Sequence, residues 1–465
     1  MVFKLADAGM NVARLNFSHG THDDHAKMID IIRTVSKATK KPIAILQDLQ
    51  GPKIRVGNLP PAGIRLSSGN RVLLAPSEDF DQLQLEFPTI QLIPMEIPQL
   101  ASSVDPGNRI LLDDGHLEFQ VISVHDGAVE AEVVLGGTLT SHKGVNLPGA
   151  RLDIPGFTEK DAEDLEFGLQ QGIDLVAISF VRAPDDIQVV RTAIRGFAPS
   201  LADTPIIAKL ERPEAITNLQ EIVRAADGVM VARGDLGVET SPAVVPITQK
   251  QIIAEANRQS KIVITATQML DSMIHNPRPT RAEASDVANA VFDGTDAVML
   301  SGETASGDFP LESIEMMASI VIEAEDNFSD WGHISAEDEE YSNEDAISIT
   351  RAARELAHDR NVSCIAVFTQ SGRTAQLMAK ARPCVPVMAF TPEPRVYQRL
   401  SLCWGTIPYL VPYARSLETM LTHVETALIE NHQVMPGQQV VIISGFPVGA
   451  WRQPNFALLH TVGNG

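Results

Sequence analysis

Basic residues are scarce in this sequence: 37 Lys and Arg stand against 59 Asp and Glu, a formal charge of −22. That deficit argues against a nucleic-acid partner held by a general basic field. It leaves room for small phosphorylated ligands, which need only a local group of cations. Cysteine is rarer still. Cys364, Cys384 and Cys403 are an odd number with no metal-type spacing, and they read as reduced thiols. No apolar run approaches the roughly 18 residues that span a bilayer, so no membrane partner is expected. The opening MVFKLADAGMNVAR lacks the h-region and cleavage site of a signal peptide. A cytoplasmic location is the expectation. What remains is ordinary for a globular protein, with 44% hydrophobic and 21% charged residues over 465 positions. That length suits about two to four domains.

Short apolar runs alternate with longer helical patterns. The runs are 12–17, 43–47, 174–180, 206–210, 228–231, 262–266 and 296–300, and helices are predicted at 25–39, 185–195, 246–260 and 280–292. Thr280 and Glu283 open the last of these at capping-box spacing. Such alternation predicts parallel strands joined by right-handed crossovers. A closed (β/α)8 barrel takes one strand more than these runs supply. The first run is preceded only by a helix end at 3–8, so the expectation is that Met1 is an internal start, with about 20–30 further residues upstream, enough for one βα unit. Between 57 and 149 the texture changes to alternating strands punctuated by Gly, Asn and Asp, which predicts a small β-barrel inserted as a lid. Residues 1–56 and 150–330 then form the barrel, and the acidic stretch within 331–345 a linker. Residues 346–465 are expected to make a separate open α/β domain, with strands at 364–368, 385–390, 407–410, 439–444 and near 456–462.

In (β/α)8 enzymes the active site lies at the C-terminal ends of the strands. Here those ends carry Arg14, Asn16, Ser18 and His19, then Asp48, Lys53 and Arg55, then Ser179. Lys209 and Glu211, Arg233 and Asp235, Thr267 and Gln268, and Ser301 and Glu303 follow. One polar strand end is commonly a solvated rim, but all of them together are hard to explain that way. Two carboxylates from neighbouring strands, Glu211 and Asp235, suit a Mg²⁺ held by oxygen. Two cations, Arg14 and Lys209, suit a phosphoryl group and a developing anion. The combination points to phosphoryl transfer.

The segments VARLNFSHG, DLQGPKIR, HKGVNLPG, ISFVR, IAKLERPEA, VMVARGDLG, TATQMLDSM, RPTRAEASDVANAV and AVMLSGETASG, in this order, resemble the pyruvate kinase family. The resemblance covers nearly the whole chain. It implies a barrel, an inserted lid and a C-terminal regulatory domain. It also implies Mg²⁺-dependent transfer from phosphoenolpyruvate to ADP, giving pyruvate and ATP, with Mn²⁺ as a substitute ion, in a homotetramer. By the same resemblance Glu211 and Asp235 are metal ligands, and Lys209 stands beside the transferring phosphoryl group. Arg14 grips the phosphate, Arg55 lies at the lid hinge facing the anions, and Thr267 sits beside the enol carbon. Ser179 and the backbone of Ala232, Gly234 and Asp235 belong to the substrate site, that backbone offering N–H groups to a carboxylate. His19, Asp114 and Lys143 match nucleotide-facing positions.

One departure has a physical consequence. Many family members hold K⁺ among positions matching Asn16, Ser18 and Asp48, with a glutamate nearby. Here that glutamate is Lys53, and the frequent threonine after the aspartate is Leu49. An ammonium about 4 Å from a K⁺ is repelled by about 4 kcal/mol at an effective dielectric near 20. The expectation is that Lys53 supplies the charge and K⁺ is not required. In the last domain Thr369, Ser371, Gly372, Arg373 and Thr374 run from strand to helix, a phosphate-cradle pattern. By resemblance this is a loop for an activating sugar phosphate. Two rival readings accompany this one, a catalytically impaired effector-binding scaffold and an aldolase-like barrel. Intact Lys209, Glu211, Asp235 and Thr267 oppose the first, and the inserted lid opposes the second.

Overall fold

The computed structural model describes every residue except 79–82, 84–89, 126, 151–154, 333–343, 451 and 464–465. Seven strands, Val12–Asn16, Ala44–Asp48, Leu175–Ile178, Ile206–Leu210, Gly228–Ala232, Ile262–Ala266 and Ala297–Val298, form one sheet in chain order. Each neighbouring pair is parallel. Successive side chains on a strand face opposite ways, and both faces here are apolar. Leu46, Ala177, Ile207, Met230 and Ile264 share an inner cluster. Their neighbours Ile45, Val176, Ala208, Val229 and Val263 pack outward against the helices. These are the near-continuous aliphatic runs of a sheet covered on both sides.

The predicted elements hold to within a few residues. The Thr280–Glu283 capping box forms, with Thr280 N–H donating to Glu283 Oε2 at 2.7 Å and Glu283 N–H to Thr280 Oγ1 at 3.2 Å. The helix expected from residue 25 starts at His22 instead, because Thr21 and Asp24 make a second capping box. Its polar first turn is a cap rather than part of the apolar stripe.

Between the second and third barrel strands lies the lid, a seven-stranded sheet in the order 54–55, 144–146, 109–112, 117–125, 128–135, 71–76, 91–95. An antiparallel bridge from Val56 to Met95 brings its two edges together. Inside are Val72, Leu74, Ile93, Leu112, Phe119 and Val133. A five-stranded sheet follows in the order 406–410, 387–391, 365–368, 439–444, 456–461, parallel except for the last strand. The acidic EDEEYSNED stretch expected as a linker lies outside the described residues except for its last two.

The C-terminal unit packs under the barrel at the N-terminal ends of the strands. Gln398 Oε1 accepts from Ile43 N–H at 3.0 Å and Ser401 Oγ from Ala44 N–H at 3.2 Å. Lys380 and Arg382 both pair with buried Asp296 at the start of the last barrel strand. The lid joins the opposite end, where the strands finish. Among the described residues no helix is long and apolar enough to cross a membrane.

Candidate active site

The strand ends beneath the lid gather charges that a barrel rim would ordinarily keep in solvent. Lys209 closes the strand 206–210, and its ammonium is nearly buried. Its Nζ donates to Ser179 Oγ at 2.7 Å and lies 2.9 Å from Glu211 Oε1 and 3.2 Å from Asp48 Oδ1. Ser179 is held in turn by donating to the Leu49 carbonyl at 2.8 Å. Arg14 Nε donates to Asp48 Oδ2 at 2.6 Å. Burial disfavours the charge on Lys209, but Asp48 and Glu211 outweigh it and raise its pKa, so it remains an ammonium.

Glu211 is buried, with Oε2 accepting the Phe180 N–H at 2.8 Å. Burial pushes its carboxyl up, Lys209 opposes that, and Asp235 pushes further. Asp235, on the next strand–helix turn, is likewise raised by burial against the pull of Lys209 and Lys53. Two buried carboxylates that feel each other's charge are costly when both are ionised. A divalent cation would relieve that cost, and carboxylate oxygens are the donors such an ion takes, although among the described residues no group of three or more Asp, Glu, His or Cys side chains gathers around one point.

Lys53, Asp114 and Asp235 line one cleft between lid and barrel, together with Arg182, Arg212 and Glu239. Of the group expected around a monovalent cation, Asn16 and Asp48 are register partners on adjacent strands. Leu49 is in the barrel core. Asp48 turns to Arg14 and Lys209, and Asn16 Oδ1 accepts from Ser18 N–H at 3.1 Å. His19 is lowered in pKa by partial burial and by Arg55, Lys53 and Arg14, so a neutral imidazole stands in that cationic mouth. Arg55 donates to the His142 carbonyl at 3.0 Å, and Lys143 pairs with Asp113 at 2.7 Å.

The turn after Ala232 opens the helix Arg233–Glu239, as expected, but the Gly234 N–H is already donated to Thr267 Oγ1 at 2.7 Å. Thr267 and Gln268 have φ of +67° and +51°, a conformation that β-branched residues rarely adopt. Sequence reasoning missed what braces them. Arg233 donates to the carbonyls of Ala266, Thr267 and Gln268 and is ion-paired to Asp286 at 2.6 Å. The sequence signal for this role was the arginine of RGD, two residues before Asp235.

In the C-terminal unit Thr369 Oγ1 accepts from Gly372 N–H at 3.0 Å, and Ser371 Oγ from Arg373 N–H at 3.3 Å. Gly372 has φ of +85°, which the tight strand-to-helix turn requires. Thr374 is buried in the helix that follows. The Arg373 guanidinium reaches away to the Ser260 carbonyl of the barrel at 3.1 Å.

Comparison with known proteins bears on this arrangement directly. The profile of the pyruvate kinase barrel domain matches residues 1–314, and that of the pyruvate kinase alpha/beta domain residues 347–460. The pyruvate kinase of Geobacillus stearothermophilus is 42% identical over 461 residues, covering 99% of this chain and 77% of its own. The chain belongs to the pyruvate kinase family. The pyruvate kinase of Staphylococcus aureus strain MRSA252 is 41% identical over 471 residues, covering 100% of this chain and 78% of its own. The barrel match of the pyruvate kinase profile takes in Arg14, Lys209, Glu211, Asp235 and Thr267 together. The two carboxylates and the buried ammonium thus lie within the part of the chain that carries the pyruvate kinase likeness.

Proposed function

We propose that this enzyme transfers the phosphoryl group of phosphoenolpyruvate to ADP, giving pyruvate and ATP. The observation that carries the reading is the Lys209 ammonium, buried 2.9 Å from Glu211 and 2.7 Å from Ser179 at the mouth where Asp235 also lies. Glu211 and Asp235 are the residues that would hold Mg²⁺, or Mn²⁺ in its place. The ion, when bound, supplies Lewis-acid charge to phosphoryl oxygens. Lys209 offers fixed positive charge to the same oxygens and to the enolate left behind, at no reorganisation cost. Arg14, oriented by Asp48, grips the phosphate. Thr267 supports enolate protonation through a water relay, since its own hydroxyl is too weak an acid. His19, Asp114 and Lys143 take the nucleotide side, with Arg55 at the hinge.

The finer readings belong to the same proposal. Lys53 replaces the charge of a monovalent cation, so K⁺ is not required. A sugar phosphate activates by binding at the turn 369–374, where hydroxyls do the contacting because Arg373 is committed to Ser260. The assembly is a cytoplasmic homotetramer. A coupled assay with phosphoenolpyruvate, ADP and Mg²⁺ tests the central claim. Turnover that disappears in Lys209→Met supports it, and a well-folded wild-type chain with no turnover sinks it. Activation by sugar phosphates that survives Ser371→Asp unchanged would remove the effector reading alone.

A further inference from the structure

The cleft between lid and barrel holds a buried carboxylate that the proposed chemistry does not use. Glu239 ends the helix Arg233–Glu239, four residues after Asp235, so the two side chains share one helix face. The Glu239 side chain is 1% exposed. Its Oε1 accepts from Asn146 Nδ2 at 2.9 Å and lies 3.6 Å from the Arg212 guanidinium. Its Oε2 is buried with no hydrogen-bond partner among the described residues. Burial raises the carboxyl's pKa against the pull of Arg212 and Asn146, and Glu214 and Glu211 add to the rise.

Asn146 belongs to the lid strand Gly144–Asn146, three residues beyond Lys143, whereas Glu239 and Arg212 belong to the barrel. The hydrogen bond therefore crosses from one body to the other. A lid that swings away removes the Asn146 donor and opens the cleft to water, leaving Arg212 as a barrel-side cation. The closed lid thus gives a desolvated carboxylate a charge-assisted hydrogen bond that the open lid lacks.

We propose that Asn146 and Glu239 form the latch that keeps the lid closed over the reacting groups. This rests on the phosphoryl-transfer reading above. Asn146→Asp sets a carboxylate against Glu239 and breaks the latch. Asn146→Asp combined with Glu239→Gln rebuilds the bond with donor and acceptor exchanged. Two quantities are read: kcat and KM for ADP in the coupled assay, and amide hydrogen exchange at residues 144–147 without substrates.

The expected result for Asn146→Asp is a rise in KM for ADP of about tenfold and faster lid exchange of similar size, with kcat changing less. The double variant should return both to within about threefold of wild type. Asn146→Ala, which adds no charge, should shift both in the same direction by about threefold and serves if Asn146→Asp does not fold. Unchanged KM and exchange in the single variants overturns the latch, as does a double variant no better than Asn146→Asp. Exchange is read without turnover, so a wild-type protein lacking kinase activity would sink the functional reading while the latch was still judged on exchange.

Discussion

Arg14 Nε and Asp48 Oδ2 meet at 2.6 Å across the first two barrel strands. Burial alone would push the Asp48 carboxyl up, but Lys209 and Arg14 together hold it below its ordinary 3.8. A carboxylate depressed by folding contributes stability above its unfolded pKa and loses it as pH falls through the folded value. Asp48→Asn should therefore cost about 3–5 kcal/mol at neutral pH, because the nearly buried Lys209 and the half-buried Arg14 lose the fully buried carboxylate they share. The gap to wild type should shrink below about pH 4, where the unfolded carboxylate is protonated. Urea unfolding from pH 3 to 7 measures this, and a gap that ignores pH would show that Asp48 is not the counter-charge.

Lys53 lines the lid cleft, and its charge acts on both Asp235 and His19. If that charge stands in for a monovalent cation, wild-type activity should be flat, within about twofold, when KCl is added to buffer free of Na⁺ and K⁺. Lys53→Glu should lower activity in that buffer by about tenfold or more and recover with KCl, as the new carboxylate attracts the ion. A many-fold K⁺ response in the wild type would refute the substitution.

The barrel was legible because its strands are short aliphatic runs whose two faces are both covered, and the runs at 206–210 and 262–266 match the observed strands end to end. The last barrel strand, at the edge of the sheet, shrank from an expected 296–300 to Ala297–Val298, although Met299 N–H still donates to the Thr265 carbonyl at 3.0 Å. Lys209, Glu211 and Asp235 were legible as charges that an apolar strand has no structural reason to end in. Arg233 and Glu239 were not. Their roles depend on which carbonyls and amides come within about 3 Å after folding, and nothing in local spacing encodes that. Arg373 was read as facing a ligand, yet its guanidinium goes to Ser260 across the domain boundary, a long-range contact invisible to a motif.

Asp296 accepts from both Lys380 and Arg382, and Arg382 also stacks on Trp404 with its guanidinium 4.4 Å from the ring centroid. Both cations and the carboxylate are nearly inaccessible to water. Removing the acid leaves two uncompensated buried charges, so Asp296→Ala should destabilise by about 3–5 kcal/mol. Removing all three charges together, as Asp296→Leu, Lys380→Met and Arg382→Met, should cost much less, because the desolvation penalty goes with them. Calorimetry separates the two cases. Equal losses would mean that the residues act through packing instead of charge.

Thr267 sits at φ +67° with its hydroxyl donating to the Ala266 carbonyl at 2.6 Å and accepting from Gly234 N–H at 2.7 Å. A β-branched residue in that region stores about 1–3 kcal/mol of strain, which persists only where the surroundings enforce it. Arg233 enforces it here through three consecutive carbonyls. Thr267→Val keeps the shape and removes the hydroxyl that the proposed water relay needs. Proton delivery to enolpyruvate should then slow by about 10²–10³-fold, while Mg²⁺ affinity stays within about threefold. Arg233→Met should act differently. Loss of the brace lets the turn relax and shifts the helix carrying Asp235, so metal affinity and turnover should fall together. Solvent proton exchange at the pyruvate methyl, measured beside Mg²⁺ titration in both variants, distinguishes the roles. Equal loss of proton exchange and metal affinity in Thr267→Val would assign the threonine to the scaffold and leave the protonation step without its relay.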